Sequence, residues 1–298
     1  MSLFKEVKNS GVLNSPLKPD TVDKTLLVDA DTIVYAICSV LEYSIELLPR
    51  EMYTEEEYSE LINDPHYNGE DKCVYRIDLE QALVMATEKI ETLLTKTGCS
   101  NVELYFTSGK NFRYYVTKDY KANRKETRYP VGLRELKEEL TKIYPGEICS
   151  EYEADDIVCM LKREYSDKYI VCAVDKDVLR GVAGTHFNYY ENAKYKINMK
   201  WVKTTEEEAI RMPYLQCLMG DSADGIKGIP KIGPKKAEKL LGNCIDEIEL
   251  WNIVVNAYEK AGLDVKEAII NMRLVSMHQL TKDKEIKLWT QTILEKKD

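Results

Sequence analysis

The sequence predicts an α/β fold with a mostly parallel central sheet flanked by helices, followed by a helical C-terminal region. Three observations predict it. Short apolar runs at TLLV (25–28), NVELYF (101–106), YIVCAV (169–174) and THFNYYE (185–191) read as strands. Helical patterns lie between them, and strands that alternate with helices favour parallel pairing through crossovers. From Thr204 onward the chain reads as helical, broken by one compact Gly/Pro/Lys-rich turn.

Taken in order, residues 1–24 form a polar, Pro-containing extension with no apolar signal stretch. TLLVDADTIVYAICSV is a buried strand running into a helix. Residues 42–78 are acidic and Tyr-rich, carry the turn signals DPHYNGED, and read as an insertion or mobile connection with no assigned role. Asp78 to Thr97 is helical and is closed by Gly98. NVELYF is followed by a basic, aromatic stretch without clear periodicity at about 108–130, and then by a charged helix through Tyr144. EYEADDIVCMLKREY opens a helix whose first-turn acids complement the helix dipole. The predicted organisation is therefore an α/β core over 25–200 and a helical region over 201–298, with the turn at about 220–242.

At 298 residues and 44% hydrophobic, the chain can bury a sizeable core. No apolar run approaches the roughly 20 residues that span a bilayer. A soluble monomer in the cytoplasm is expected, in the host's if the chain is phage-encoded. The eight cysteines form no CxxC pair, and histidine is limited to His66, His186 and His278. Any metal chemistry must therefore rest on carboxylates. The net charge of −9 is sorted along the chain: residues 110–128 carry +5 and residues 227–239 carry +4. Basic faces beside an acidic cluster suit a nucleic-acid-binding protein.

Acids recur at strand ends and helix starts. Asp29 and Asp31 follow the first strand, and Glu153, Asp155 and Asp156 open a helix. Asp175 and Asp177 follow the third strand, and Asp221 and Asp224 sit in the glycine-rich turn. In a parallel sheet the C-terminal strand ends share one edge, so Asp29 and the 175/177 pair should converge there, and helix-borne carboxylates could join them. Oxygen-only ligand sets suit Mg²⁺ or Mn²⁺. Taken singly, each cluster has an ordinary explanation as a helix cap or a surface turn.

The stretches LLVDADTIVY, YKANR, EADD, VDKDV and LMGDSADGIKGIPKIGPKKA resemble successive motifs of the 5′-nuclease family, over about residues 25–242. That family includes the nuclease of bacterial DNA polymerase I, the flap endonucleases and the stand-alone phage 5′-exonuclease/RNase H enzymes, and this chain resembles the stand-alone form. The resemblance implies a PIN-like nuclease core. It implies metal ligands at Asp29, Glu153, Asp155, Asp156, Asp175, Asp177, Asp221 and Asp224, holding two Mg²⁺ ions or Mn²⁺ in their place. Asp31 falls where the family varies and is not assigned. The family's second motif places an aspartate just after the strand Phe, where this chain has Thr107, one negative charge fewer.

Residues 110–129 combine Lys110, Arg113, Lys118, Lys121, Arg124, Lys125 and Arg128 with five aromatic residues, the chemistry of single-strand binding. By resemblance this segment is an arch over the active site. Lys121 would contact the scissile phosphate, Tyr120 would stack a base, and Arg113 and Arg124 would steer the 5′ strand. GIKGIPKIGPKKAEKLL resembles a helix-hairpin-helix that grips duplex backbone. Gly228 and Gly233 would allow close approach to phosphate, with Lys235, Lys236 and Lys239 adding attraction. A K⁺ ion held by hairpin carbonyls is implied, although Lys231 stands where the family has glycine.

The expected activity is metal-dependent hydrolysis of phosphodiester bonds at 5′ flaps or ends of DNA, or of RNA·DNA hybrids. Two other readings stand beside it. One is a structure-specific DNA-binding protein that has lost catalysis, for which Thr107 is the sign. The other is a haloacid-dehalogenase-type phosphatase, which the DxD at 29–31 resembles. Such an enzyme would carry Thr where this chain has Ile33.

Overall fold

In the computed structural model, which describes residues 19–124 and 128–291, the chain begins with β1 (Thr25–Asp29) and α1 (Asp31–Leu41). Lys125 and most of the N-terminal extension lie outside the described residues. Next come β2 (Tyr43–Glu46), α2 (Glu55–Ile62), β3 (Tyr67–Asn68), β4 (Cys73–Arg76), α3 (Leu79–Thr97) and β5 (Asn101–Thr107). Then follow α4 (Arg113–Val116), α5 (Leu133–Ile143), β6 (Gly146–Cys149), α6 (Ala154–Glu164), β7 (Tyr169–Ala173), α7 (Lys176–Gly181), β8 (Gly184–Asn188) and β9 (Lys200–Thr204). The remainder is α8 (Glu206–Met219), β10 (Gly220–Asp221), β11 (Ile226–Lys227), α9 (Pro234–Leu241), α10 (Glu247–Lys260) and α11 (Val265–Val275).

Six strands form the central sheet in the order β6-β5-β1-β7-β8-β9, parallel except for β9. This is the mostly parallel α/β sheet predicted from the apolar runs. Successive side chains of a strand point to opposite faces. Leu26, Val28, Leu104, Phe106, Ile170 and Cys172 therefore join one core with residues of α1, α3 and α5. Leu27, Tyr105, Val171 and Ala173 join another with Ile157 and Val158 of α6 and Val178 of α7. Burial on both faces explains why these strands read as continuous apolar runs. β1 lies between β5 and β7, the point at which the chain changes its direction of winding. A crevice opens there at the C-terminal strand ends.

β6 and β9 are short or half-exposed and carry little apolar signal, so they were not expected. Residues 42–78 are also structured. Antiparallel strands in the order β2-β4-β3 form a small sheet, and Thr54 and Glu57 form a capping box that starts α2. This sheet holds the far end of the basic segment. Glu42 pairs with Arg128 and accepts the Val131 N–H at 2.8 Å, while the Arg128 guanidinium lies 3.7 Å from the Tyr75 ring centroid.

Helices α8–α11 pack around a third core that includes Tyr214, Leu218, Leu241, Trp251, Tyr258 and Met272. Among the described residues no helix is long and apolar enough to cross a membrane.

Candidate active site

The local sequence explains how each acid reaches the crevice. Asp29 is the last residue of β1. Glu153 caps α6, where its N–H donates to Asp156 Oδ2 at 3.0 Å, and Asp155 follows in the first turn. Asp175 caps α7, with Oδ1 accepting the Asp177 N–H at 2.7 Å. Asp221 ends β10 and accepts the Ala223 N–H at 2.9 Å, and Asp224 precedes β11. Acids favour helix N-termini because free N–H groups and the helix dipole lie there. Here those termini face one point.

Asp29, Glu153, Asp155, Asp175, Asp177, Asp221 and Asp224 all line one open cavity of about 770 Å³. Lys121, Arg124 and Tyr120 line it as well. Crowding has a clear electrostatic signature. Burial, reinforced by the charges of Asp31 and Asp175, pushes the Asp29 carboxyl up to about 7. Burial and the charge of Asp175 push Asp177 up to about 7. Burial also raises Asp155 well above the carboxylate range, with Asp29, Asp175 and Glu153 adding to the effect. Glu153 behaves oppositely. Burial opposes its ionisation, but Arg113, Lys121 and hydrogen bonds from Lys121 and Tyr120 outweigh it and hold the carboxyl below its usual range.

Lys121 is placed by its backbone as well as its charge. It adopts φ +51, its N–H donates to Asp224 O at 2.8 Å, and its Nζ donates to Glu153 Oε1 at 2.6 Å. Arg124 donates to Asp224 Oδ1 at 2.7 Å.

Three expected roles do not survive the structure. Arg113 is 0% exposed, so it cannot steer a strand. Its guanidinium grips Asp156 at 2.6 and 2.7 Å and donates to Leu274 O at 2.8 Å. Asp156 is likewise 0% exposed, with both oxygens held by Arg113, and unlike Glu153 and Asp155 it does not line the cavity, which takes it out of the ligand set. Tyr120 is 2% exposed and packs in the helical core, with its hydroxyl donating to Glu153 Oε2 at 2.9 Å. A ring enclosed in that way has no free face for a base. Tyr115, 85% exposed, and Tyr129, 53% exposed, are the aromatic residues of this segment that are open to solvent.

Sequence reasoning left Asp31 unassigned and passed over Lys137 and Asn111, and all three line the cavity. Asn111 donates to Glu153 Oε1 at 2.9 Å. Its only sequence signal is its place inside the basic stretch.

The hairpin follows the cavity directly. Gly220 at φ +72 and Gly228 pass so closely that a Cβ on Gly228 would lie 2.1 Å from the Met219 carbonyl carbon. Gly233 precedes α9, which starts with Pro234, and Lys235, Lys236 and Lys239 are exposed around it. Lys231 takes φ +66, the left-handed region that glycine favours. The Lys236 ammonium donates to the Lys231 carbonyl at 3.0 Å.

No protein-family model matches the chain. It is 25% identical over 189 residues to a protein of Mycoplasmopsis pulmonis named 5′-3′ exonuclease, covering 57% of this chain and 62% of that one. It is 31% identical over 141 residues to a protein of Shewanella woodyi named flap endonuclease Xni, covering 44% and 54%. The chain thus spans less than two thirds of either relative. Its fold resembles that of the bacteriophage T5 flap endonuclease, solved with DNA and metal ions. The TM-score is 0.55 at 15% identity, covering 85% of this chain and 89% of that one. Mostly parallel strands flanked by helices, with a C-terminal helical region, are common to both. In sequence the chain is a homologue of proteins named 5′-3′ exonuclease and flap endonuclease, and it shares the 5′-nuclease fold.

Proposed function

We propose that the chain is a metal-dependent 5′-nuclease that hydrolyses phosphodiester bonds near the 5′ ends or flaps of DNA, or of RNA·DNA hybrids, during replication. The observation that carries this reading is the meeting of acids from four chain segments in one cavity, with Lys121 and Arg124 on its wall. The similarity to proteins named for this activity supports it.

The residues fit divalent ions. The donor set is all oxygen, which suits Mg²⁺ or Mn²⁺. Asp177 Oδ1 is buried without a hydrogen-bond donor, and three of the acids are held away from ionisation by one another and by burial. Among the described residues no three metal-binding side chains converge as a finished cage. Mg²⁺ commonly takes one or two carboxylates and keeps several waters, so a complete protein cage is not required. Asp29, Glu153 and Asp155 would hold one ion, and Asp175, Asp177, Asp221 and Asp224 the other. When bound, such ions would activate water and neutralise charge on the reacting phosphate.

The chain's own groups orient the substrate. Burial works against the Lys121 charge, but Glu153 and Asp224 more than offset it, so the ammonium stays charged through neutral pH. It would hold the phosphate beside the acids and offset charge in the transition state. Arg124 would guide the strand. The hairpin glycines and the N-terminus of α9 would hold duplex backbone, with Lys235, Lys236 and Lys239 adding attraction. A K⁺ ion at the hairpin is left out of this proposal because Lys236 already occupies a turn carbonyl.

The test is cleavage of a 5′-labelled flap duplex with Mg²⁺, beside a chelated control. Mg²⁺-dependent release of 5′ products is expected. Binding without a cut would favour the non-catalytic reading, and turnover of a small phosphomonoester would favour a phosphatase.

A further inference from the structure

We infer that Asp31 is a metal-site carboxylate, standing in for the acid that position 107 lacks; the inference rests on the proposed divalent-ion reading of the cavity. Position 107 ends β5, beside Asp29 at the end of β1. The Thr107 side chain turns away, and its hydroxyl accepts the Ala154 N–H at 2.9 Å, helping to seat the start of α6. Its backbone N–H instead donates to Asp31 Oδ2 at 2.9 Å. A carboxylate is thereby pinned to β5 from the first turn of α1.

The second oxygen of Asp31 is what a cation would take. Oδ1 is buried and lacks a donor in hydrogen-bond geometry. It faces Lys137 Nζ at 2.5 Å as an ion pair, while that ammonium donates to Thr107 O at 2.7 Å. Lys137 thus acts as a tethered countercharge. A half-buried carboxylate beside other acids gains from such a partner, because like charges in a reduced dielectric repel. A divalent ion would supply the same compensation with a larger charge. Asp31 and Asp29 line the same cavity wall, together with Thr107 and Lys137. Whether Asp31 meets the ion directly or through one water, its charge acts on the site held by Asp29, Glu153 and Asp155.

The test measures Mn²⁺ binding to the full chain without DNA, by calorimetry and by ion-induced thermal stabilisation. Asp31→Asn should weaken the tighter site by about tenfold or more, in line with losses on removing a site-shaping group. Adding Thr107→Asp to that variant should restore affinity. Lys137→Met should tighten Mn²⁺ binding by removing the competing ammonium, and this variant answers the question even if Asp31→Asn does not fold. Wild-type affinity in a folded Asp31→Asn chain would overturn the inference, as would weaker binding in Lys137→Met. If the wild type binds Mn²⁺ and Asp29→Asn abolishes it, only the Asp31 assignment is at stake. If the wild type binds no Mn²⁺, the metal-dependent reading falls with it.

Discussion

Arg113 and Asp156 form two parallel hydrogen bonds of 2.6 and 2.7 Å with neither side chain exposed to solvent. The pair joins the start of the basic segment to α6, and through Leu274 O it reaches α11. Arg113 therefore anchors the basic segment at its start, and the exposed residues of that segment lie further along it.

Arg113→Ala should leave a buried, unpaired Asp156. Breaking one partner of a buried ion pair typically costs about 3–5 kcal/mol. Urea unfolding should show that loss. A variant of wild-type stability that bound DNA poorly would instead return Arg113 to the steering role.

Two tyrosines of the same segment should behave differently. Tyr120→Ala removes a core side chain and should cost about 3–5 kcal/mol by analogy with other large aromatic truncations. Tyr115→Ala should leave the melting temperature unchanged while weakening single-strand binding by about 1–3 kcal/mol, the usual worth of one stacked base. Fluorescence anisotropy with a labelled single strand checks this. Equal affinity would remove Tyr115 as a stacking platform.

The acid cluster should make metal-free protein sensitive to alkali. Asp29 and Asp177 are pushed up to about 7 by burial and neighbouring acids, against about 3.9 for an unfolded aspartate. A raised folded pKa means the native state holds the proton more tightly. Its contribution is full below about pH 4 and is lost as pH rises through 7. With chelator present, stability should fall between about pH 4 and pH 7 and level off above, and Mg²⁺ should reverse much of the loss. Asp29→Asn should flatten the chelated profile. A flat wild-type profile under chelation would contradict the account.

His186 should act in the opposite sense. Burial holds its imidazole down at about 4, below its ordinary 6.5, although the Val182 carbonyl contact favours the charged form. The unfolded chain therefore binds more protons between pH 4 and 6.5. Stability from the neutral ring is full above 6.5 and is lost as pH falls through that window. His186→Gln should reduce the slope measured by chemical unfolding at pH 4.5, 5.5 and 6.5.

The hairpin lysines should appear in the salt dependence. Lys235→Ala and Lys239→Ala should each lower the slope of log affinity against log salt by about 1 on duplex DNA. Affinity should fall uniformly across sequences, because phosphate contacts carry no base information. An unchanged slope would remove these lysines from the DNA contact.

Apolar runs such as TLLV and YIVCAV were sufficient to place β1 and β7, because strands buried on both faces must be continuously apolar. The acids were legible for a related reason: Asp29, Asp155 and Asp175 sit at strand ends and helix starts, and a parallel sheet gathers those ends on one edge, whereas Asp221 reaches the cavity from the separate β10-β11 pair. β6, β9 and the small sheet over 42–78 were not legible, since short half-exposed strands carry mixed polar residues and draw their stability from pairing partners distant in sequence.

By itself the sequence determined the α/β class, the edge at which the acids would gather, and the basic character of the arch and hairpin. Only the tertiary structure decided which of those charged groups remain free. Asp156, Asp155 and Glu153 are near neighbours in sequence, yet Asp156 is consumed by Arg113 while the other two line the cavity. Tyr120 is sequestered against Glu153, and Asp31 is brought to Thr107 from the start of α1. The reason is physical: ion pairing and burial depend on distances across the fold, which residue type and local spacing do not encode.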